Sequence, residues 1–391
     1  MNKTETTYKA KYEKYKGKYL KLSRELTQLQ DGGAGFYTKR TKTMENTKPK
    51  PKISTSDKYI DLEFKGVQIA QVCYDEGPCG LTFLYFPCGV RTHMEVRGGY
   101  SAYTSVLGTE CKHKMYGLAV VGCSSIGLEA ISGITAESFK QNNYRYWKSI
   151  NGAAVYTRSI VKNAIYPDIN LGRYAYDVAA NNPAKRLYSG QVGAGLKAQH
   201  GVGWAYKKLD GKFDNVEVFV MIVNNAIGDV YKGDKLVHKH CDFTKKDCDK
   251  IEAETLHKLN KCKDNICKHN AKRATVSNNE TCNKCKRDNI KPVEHGCNKQ
   301  NCEMSKNTTI ILVATNLDLS ISHLEQMNNQ MNVAIGEAIK PFNTFQDGDV
   351  FYTCSTMRYV KEYKTDDLID LFEDFSNVML DAVYNSVGDW L

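Results

Sequence analysis

The 391-residue chain contains no run of 18 apolar residues, and no positively charged segment followed by an apolar stretch opens it. The first absence excludes a transmembrane helix of ordinary length, and the second excludes a secretory signal. Proline and tryptophan are sparse, with 8 and 3 residues, whereas 41% of the chain is hydrophobic, which is enough for a sizeable core. We therefore expect a cytoplasmic protein without a transmembrane segment.

The net charge of +10 is concentrated in two parts of the chain. Residues 1–52 carry a net charge of +9 and residues 233–306 carry +6, so the remainder is acidic, at −5. Basic residues therefore belong to two appendages around an acidic core. The appendages could contact polyanions through charge alone, but a core without a basic face predicts no specific nucleic-acid partner.

Composition divides the chain into four parts. Residues 1–30 carry a heptad stripe of tyrosine and leucine, which predicts a helix with one adhesive face. Residues 31–52 form a basic linker. Residues 53–232 and 307–391 are predicted to form one folded domain, and residues 233–306 form a cysteine- and lysine-rich insertion between its two halves.

The insertion holds eight of the 14 cysteines. Cys262 and Cys267 have C-x₄-C spacing, and Cys282 and Cys285 have the C-x₂-C spacing of half a zinc site. No second C-x₂-C pair completes a zinc ribbon, so three interpretations stay open: a structural zinc ion, disulfides formed in an oxidising environment, or an unstructured loop. The six other cysteines are predicted to be free and buried: Cys73, Cys79, Cys88, Cys111, Cys123 and Cys354.

Short apolar runs separated by glycine-rich turns predict an α/β core. Strands are predicted at 62–72, 81–86, 118–121, 216–225 and 310–314. Ser322-His323-Leu324-Glu325 has the spacing of a capping box and predicts a helix start. Of the two glycine-rich turns, 122–128 lacks the GxSxG pattern of an esterase and 190–195 lacks the ending of a P-loop. A nucleophilic Ser124 or Ser125 and a nucleotide site are both disfavoured.

Asn307-Thr308 lies where the insertion meets an apolar run, Ile310 to Ala314. If the Asn307–Thr308 bond were cut, the hydroxyl of Thr308 would lie beside its own free amine, which can act as its general base. On these residues alone, a β-branched residue at the start of a strand is the simpler interpretation. Thr309 is a rival nucleophile.

Five sequence blocks, in this order, resemble the P1 (S58) peptidase family: 96–99, 122–128, 190–195, 225–229 and 308–316. The family holds the β-aminopeptidases, the L-aminopeptidase/D-amidase-esterases and the nylon-oligomer hydrolases, and the resemblance covers roughly residues 55–360. It implies a four-layer α-β-β-α sandwich of the α/β class and self-cleavage into α and β subunits. It also implies oligomers of αβ units and catalysis without a cofactor.

The resemblance gives Thr308 the role of nucleophile. Asp347 and Asp349 fall on the acidic pair of the family, at the spacing found in the nylon-oligomer hydrolases, and this spacing favours Thr308 over Thr309. A carboxylate near the new α-amine would hold it and tune its basicity.

Further roles follow from the same resemblance. Asn225 matches the asparagine whose amide donates to the developing oxyanion, and Lys197 matches a lysine that adds positive charge near the site. Phe139 falls on a substrate-binding aromatic position of the family but lacks its hydroxyl, which Tyr144 or Tyr146 could supply.

The reaction implied is hydrolysis of an amide bond in a small peptide or amino-acid amide, through an acyl-threonine intermediate. Two alternatives stay open: an N-acyltransferase of the ornithine acetyltransferase type, and a structural or virion protein that keeps the fold without activity. The lysine- and tyrosine-rich opening resembles leader segments of giant DNA virus proteins, which implies host cytoplasm or a virion.

Overall fold

The computed structural model describes residues 49–77, 79–105, 114–157, 165–239 and 307–387. The predicted heptad helix, most of the basic linker, Cys111 and the four candidate zinc ligands lie outside these residues. Lys50–Leu391 forms one compact unit. Among the described helices, none is both long enough and apolar enough to span a bilayer.

Fifteen strands, four α-helices and three short 3₁₀ helices make up the described part of the fold. The strands are β1 (Pro51–Ile53), β2 (Tyr59–Asp61), β3 (Gln68–Tyr74), β4 (Gly80–Val96), β5 (Ala102–Thr104), β6 (Met115–Val121), β7 (Ile150–Ala154), β8 (Arg186–Tyr188), β9 (Gly201–Lys208), β10 (Glu217–Asn225), β11 (Asp229–Lys232), β12 (Lys235–His238), β13 (Thr308–Leu317), β14 (Ile339–Lys340) and β15 (Val350–Tyr359). The helices are α1 (Glu129–Gln141), α2 (Ile169–Asn181), α3 (Ile321–Ala338) and α4 (Thr365–Ser386).

Two sheets share the long strand β4. Its first half pairs with β3 and β6, and its second half pairs with β15. The pairing with β6 is irregular between Tyr85 and Val90, where β4 passes from one sheet into the other. The first sheet has the order β1-β3-β4-β6-β7-β5, and the second has the order β4-β15-β13-β10-β9.

Three hydrophobic layers separate four layers of secondary structure. Ile310 and Leu312 of β13 lie between the two sheets, in a cluster with Trp204. Ile311 and Val313 lie on the other face of β13, in a cluster with α3 and α4. A third cluster joins the outer face of the first sheet to α1 and α2. The protein is therefore an α-β-β-α sandwich, and the fold implied by the resemblance is confirmed.

Burial on both faces explains the continuous apolar run of β13. Each fully buried aliphatic side chain contributes about 1.5–3 kcal/mol, and a slip of one residue would exchange the two faces. The register of β13 is therefore strongly determined. By the same alternation Thr308 belongs to the face of Ile310, between the sheets, and Thr309 belongs to the face of Ile311, toward the helices.

The prediction of free, buried core cysteines is wrong for three residues. Cys79 and Cys123 form a disulfide, with Cα atoms 5.7 Å apart. They lie 44 residues apart in sequence, and only the pairing of β4 with β6 brings them together. Cys88 is free but exposed, whereas Cys73 and Cys354 are free and buried as predicted.

Helix α3 begins before the predicted capping box. Its N-cap is Ser320, whose side chain accepts a hydrogen bond from the backbone N–H of His323. Ser322 lies inside the first turn and contacts Ser320 through its hydroxyl. Two serines two residues apart both satisfy the local preference for a cap, and the tertiary path of the chain selects the earlier one.

Candidate active site

Thr308 begins β13 opposite Asn225, the last residue of β10, in an antiparallel pairing. Its hydroxyl donates a hydrogen bond to the carbonyl oxygen of Asn307, at 2.6 Å, and accepts one from the backbone N–H of Tyr156, at 3.3 Å. Asn307 and Thr308 are both 2% exposed. The hydroxyl is thus held against the carbonyl group of the peptide bond that precedes it.

A second donor reaches the carbonyl oxygen of Asn307. The backbone N–H of Gly348 donates to it at 2.8 Å. Asn307 also forms an isolated parallel bridge with Asp347, which brings the turn before β15 alongside the start of β13. The Gly348 N–H therefore points at the oxygen that would become negative if the Thr308 hydroxyl attacked the carbonyl carbon.

The chain segment after β4 holds the turn of Asp347 and Asp349. The backbone N–H of Arg97 donates to the carbonyl of Asp349 at 2.8 Å, and that of Tyr100 donates to the carbonyl of Asp347 at 3.0 Å. Gly98 has a φ of +82°, and a Cβ there would lie 2.3 Å from the carbonyl oxygen of Asp347. The glycine in this block is therefore required for close contact with the acidic turn.

Both aspartates are buried, but their side chains have different partners. Oδ2 of Asp347 accepts hydrogen bonds from the N–H and the hydroxyl of Thr344, at 3.1 and 2.7 Å. Oδ1 of Asp349 accepts one from the N–H of Thr309, at 2.5 Å. Loss of hydration on burial, and then the charge of Asp347, raise the pKa of Asp349 well above its usual range. Asp349 therefore keeps its proton to a higher pH than a free aspartate.

Asn225 is fixed by hydrogen bonds to two backbone groups. Its Oδ1 accepts from the N–H of Gln199 at 2.8 Å, and its Nδ2 donates to the carbonyl of Tyr156 at 2.6 Å. An amide nitrogen carries two protons, so one N–H of Asn225 remains for another acceptor. The contact to Tyr156 places this amide on the same backbone segment that donates to Thr308.

Lys197 lies two residues before Gln199, in the same loop. It is exposed and has a φ of +63°, and its backbone N–H donates to the side chain of Gln191 at 2.7 Å. Lys197 is thus two residues from Gln199, whose N–H contacts Asn225, but the described hydrogen bond of Lys197 is to Gln191 and not to Thr308.

No described contact links Phe139 or Tyr146 to Thr308, so their role in substrate binding stays a prediction. Phe139 packs edge-to-face against Tyr144, with ring centroids 5.2 Å apart, and Tyr146 is 57% exposed. The tyrosine at Thr308 is Tyr156, which contacts it through the backbone. No sequence pattern marks Tyr156, because a main-chain contact requires no particular side chain.

Thr309 occupies a different environment from Thr308. It is fully buried and lines a small cavity behind β13, together with Arg97, Asn332, Asn343 and Asp349. Its described hydrogen bond runs from its backbone N–H to Asp349. Of the two threonines, only Thr308 has a described hydrogen bond to the Asn307 carbonyl.

The described ranges offer no candidate metal site. They contain no group of three or more His, Cys, Asp and Glu side chains that could hold an ion. Since the four cysteines of the candidate zinc site lie outside these ranges, that site stays a prediction.

Comparison with known proteins identifies the family. The chain is 26% identical over 318 residues to a 6-aminohexanoate-oligomer endohydrolase from Agromyces sp. (strain KY5R), covering 78% of this chain and 77% of the relative. The fold of this chain is similar to that of a β-aminopeptidase from Burkholderia sp., with a TM-score of 0.54 and 14% identity. The match covers 86% of this chain and 89% of the β-aminopeptidase.

A second solved structure is an L-aminopeptidase D-Ala-esterase/amidase from Ochrobactrum anthropi, described as a variant of the Ntn hydrolase fold. It aligns with a TM-score of 0.50 and 13% identity, over 82% of each chain. The model of peptidase family S58 matches residues 66–389. The chain therefore belongs to peptidase family S58 and is a hydrolase, as the order of its sequence blocks predicted.

Proposed function

We propose that the protein cuts its own chain between Asn307 and Thr308 and then uses Thr308 to hydrolyse amide bonds of small peptides or amino-acid amides. The observation that carries the proposal is the position of the Thr308 hydroxyl, 2.6 Å from the carbonyl oxygen of Asn307. The carbonyl is polarised at the same time by the Gly348 N–H.

Self-cleavage starts when the oxygen of Thr308 attacks the carbonyl carbon of Asn307. The Gly348 N–H stabilises the resulting oxyanion, and the intermediate collapses by breaking the C–N bond. The nitrogen takes the proton that the hydroxyl gives up and becomes the free amine of Thr308, while Asn307 is left as an ester on the threonine oxygen. Water then hydrolyses this ester, which releases the carboxylate of Asn307 and restores the hydroxyl.

Substrate hydrolysis repeats the same chemistry on an external amide. The free amine of Thr308 takes the hydroxyl proton as the oxygen attacks, and it returns a proton to the departing amine. Asn225 offers its remaining amide N–H to the oxyanion. Asp347 and Asp349 keep the start of β13 in place, Asp349 through the N–H of Thr309. Water completes the cycle by hydrolysing the acyl-threonine ester.

The substrate class rests on family membership and on the relatives. The Agromyces enzyme is an endohydrolase of 6-aminohexanoate oligomers, and the two similar structures are aminopeptidases. These substrates share an amide bond in a short chain that carries an amine. We infer that the protein acts on substrates of this class.

The test compares the wild-type chain with the Thr308→Ala and Thr309→Val variants. On a denaturing gel and by intact mass, we expect wild type and Thr309→Val to give fragments 1–307 and 308–391, and Thr308→Ala to stay whole. Thr309→Val is the matched control because it removes only the neighbouring hydroxyl. A wild-type chain that stays uncut would contradict the proposal.

Activity is then measured on the cut protein with a chromogenic aminoacyl anilide and with a 6-aminohexanoate oligomer. We expect release of free amine from at least one of them. Transfer of the acyl group to an added amine, with no hydrolysis in its absence, would favour the acyltransferase instead. A cut protein that processes neither would favour a structural protein.

A further inference from the structure

The backbone of Tyr156 contacts two groups of the proposed catalytic site. Its N–H donates to the hydroxyl oxygen of Thr308 at 3.3 Å, and its carbonyl accepts from Nδ2 of Asn225 at 2.6 Å. If this segment moved, the N–H that donates to Thr308 would be displaced, and the side-chain amide of Asn225 would change its orientation. What holds the segment in place thus matters for the reaction.

Thr157, the next residue, connects this segment to the disulfide. It is 1% exposed, its hydroxyl oxygen accepts the N–H of Cys123 at 3.1 Å, and it lies 3.6 Å from Sγ of Cys79. A disulfide sulfur carries no proton, so the Thr157 hydroxyl donates in this second contact. The Thr157 hydroxyl therefore accepts a hydrogen bond from Cys123 and donates one to Cys79, the two cysteines of one disulfide.

The turn that carries Cys123 has an unusual backbone conformation. Cys123 and Ser124 have φ values of 62° and 59°, in the left-handed region that costs free energy for residues other than glycine. Two backbone hydrogen bonds tie the neighbourhood of this turn to the segment before Tyr156: Ser124 N–H to the Val155 carbonyl at 3.0 Å, and Val155 N–H to the Val121 carbonyl at 2.8 Å. Such a turn persists only when its surroundings hold it.

We infer that Thr157 and the Cys79–Cys123 disulfide together position the backbone of Tyr156, and through it Thr308 and Asn225, so that the reaction depends on the redox state of the disulfide. The inference rests on the proposed function. Thr157 is a positioning residue, since it acts on the reacting groups through the main chain of its neighbour.

The redox step has a simple balance. A dithiol reductant transfers two electrons to the Cys79–Cys123 bond, each sulfur takes up one proton, and the reductant closes into its own cyclic disulfide. After reduction, Cys79 is a thiol with a proton of its own. The covalent link that holds the left-handed turn against the start of β4 is lost. The Tyr156 segment then loses its fixed support.

The first test uses the Thr157→Val variant, which keeps the shape of the side chain and removes the hydroxyl. We expect self-cleavage and kcat on the anilide to fall about tenfold to hundredfold, because misplacement of reacting groups by about 1 Å costs on that order. We expect KM to change by less than about twofold, because the contacts that bind the substrate equally in the ground state and the transition state are retained. Thr157→Ser, which restores the hydroxyl, recovers most of the rate.

Thr315→Val is the matched control for stability. The hydroxyl of Thr315 is also buried and also bridges two groups, here the backbone N–H of Leu317 and the backbone carbonyl of Glu217, but at the far end of β13. We expect it to lower Tm about as much as Thr157→Val and to leave cleavage at the wild-type rate. Equal rates in Thr157→Val and wild type would overturn the inference.

The second test addresses the disulfide and covers the case in which Thr157→Val does not fold. We expect the Cys79→Ser variant to cut and turn over at least about tenfold more slowly than oxidised wild type. Its rates should not respond to dithiothreitol, whereas those of wild type should fall. Cys79→Ser rates equal to oxidised wild type would overturn the inference while leaving Thr308 as the nucleophile. An uncut wild-type chain would overturn the proposed function and the inference together.

Discussion

Replacing Gly348 by alanine tests the donor to the Asn307 carbonyl. A Cβ at this position would lie 2.6 Å from the carbonyl oxygen of Tyr100. The N–H of Tyr100 donates to the carbonyl of Asp347, so Tyr100 cannot move away without losing a hydrogen bond to the same turn. The turn itself must therefore shift.

The size of the effect follows from the distances. Ordinary contact begins near 3.4 Å, so the two groups must separate by about 0.8 Å. A shift of that size along the hydrogen bond would extend the 2.8 Å contact from Gly348 N to Asn307 O to about 3.6 Å, which is no longer a hydrogen bond. Loss of one oxyanion donor costs about 10²–10³ in rate, or about 2.7–4 kcal/mol of the barrier.

The assay follows the appearance of fragment 308–391 with time after synthesis, by gel and intact mass. Gly336→Ala in α3 is the matched control, since no atom lies within 4 Å of its added Cβ. It should cut at the wild-type rate and gain up to about 1 kcal/mol of stability, because glycine is unfavourable inside a helix. If Gly348→Ala also cut at the wild-type rate, the assignment of the Gly348 N–H as oxyanion donor would be refuted.

Two further substitutions probe Asp349 and Asn225. Because the raised pKa makes the folded chain bind more protons than the unfolded chain above pH 3.8, stability falls as pH rises toward the folded pKa. Asp349→Asn removes this dependence, so the Tm of the variant relative to that of wild type should rise from pH 4 to pH 7. The kcat of the variant should fall about 10²-fold. Equal pH profiles would contradict the raised pKa. Asn225→Ala should lower kcat about 10²–10³-fold and cost about 1–3 kcal/mol of stability, because the Gln199 N–H and the Tyr156 carbonyl lose their partner. An unchanged kcat with the lower Tm would assign Asn225 a structural role only.

The sequence was most informative where local pattern and buried environment coincide. The apolar run of β13 is continuous because both faces of the strand are buried. The order of the glycine-rich blocks identified the family, since glycine is required wherever backbone segments meet closely, as Gly98 meets Asp347. These features are properties of short segments, and a sequence records them directly.

Contacts between distant segments were not accessible in the same way. The disulfide joins residues 44 apart, and spacing alone gave no reason to pair Cys79 with Cys123 rather than with another cysteine. Ser320 replaced Ser322 as the cap because two serines satisfy the same local rule. In both cases several local solutions were equivalent, and only packing chose among them.

The sequence by itself determined the fold class, the family and the candidate threonine at the start of β13. Tertiary structure alone decided how that threonine is surrounded. The parallel pairing of β13 with β15 brings the Gly348 N–H to the Asn307 carbonyl, and the end of β7 brings the Tyr156 backbone to the hydroxyl. These are main-chain N–H groups, which every residue except proline carries, so no side-chain pattern could have pointed to them.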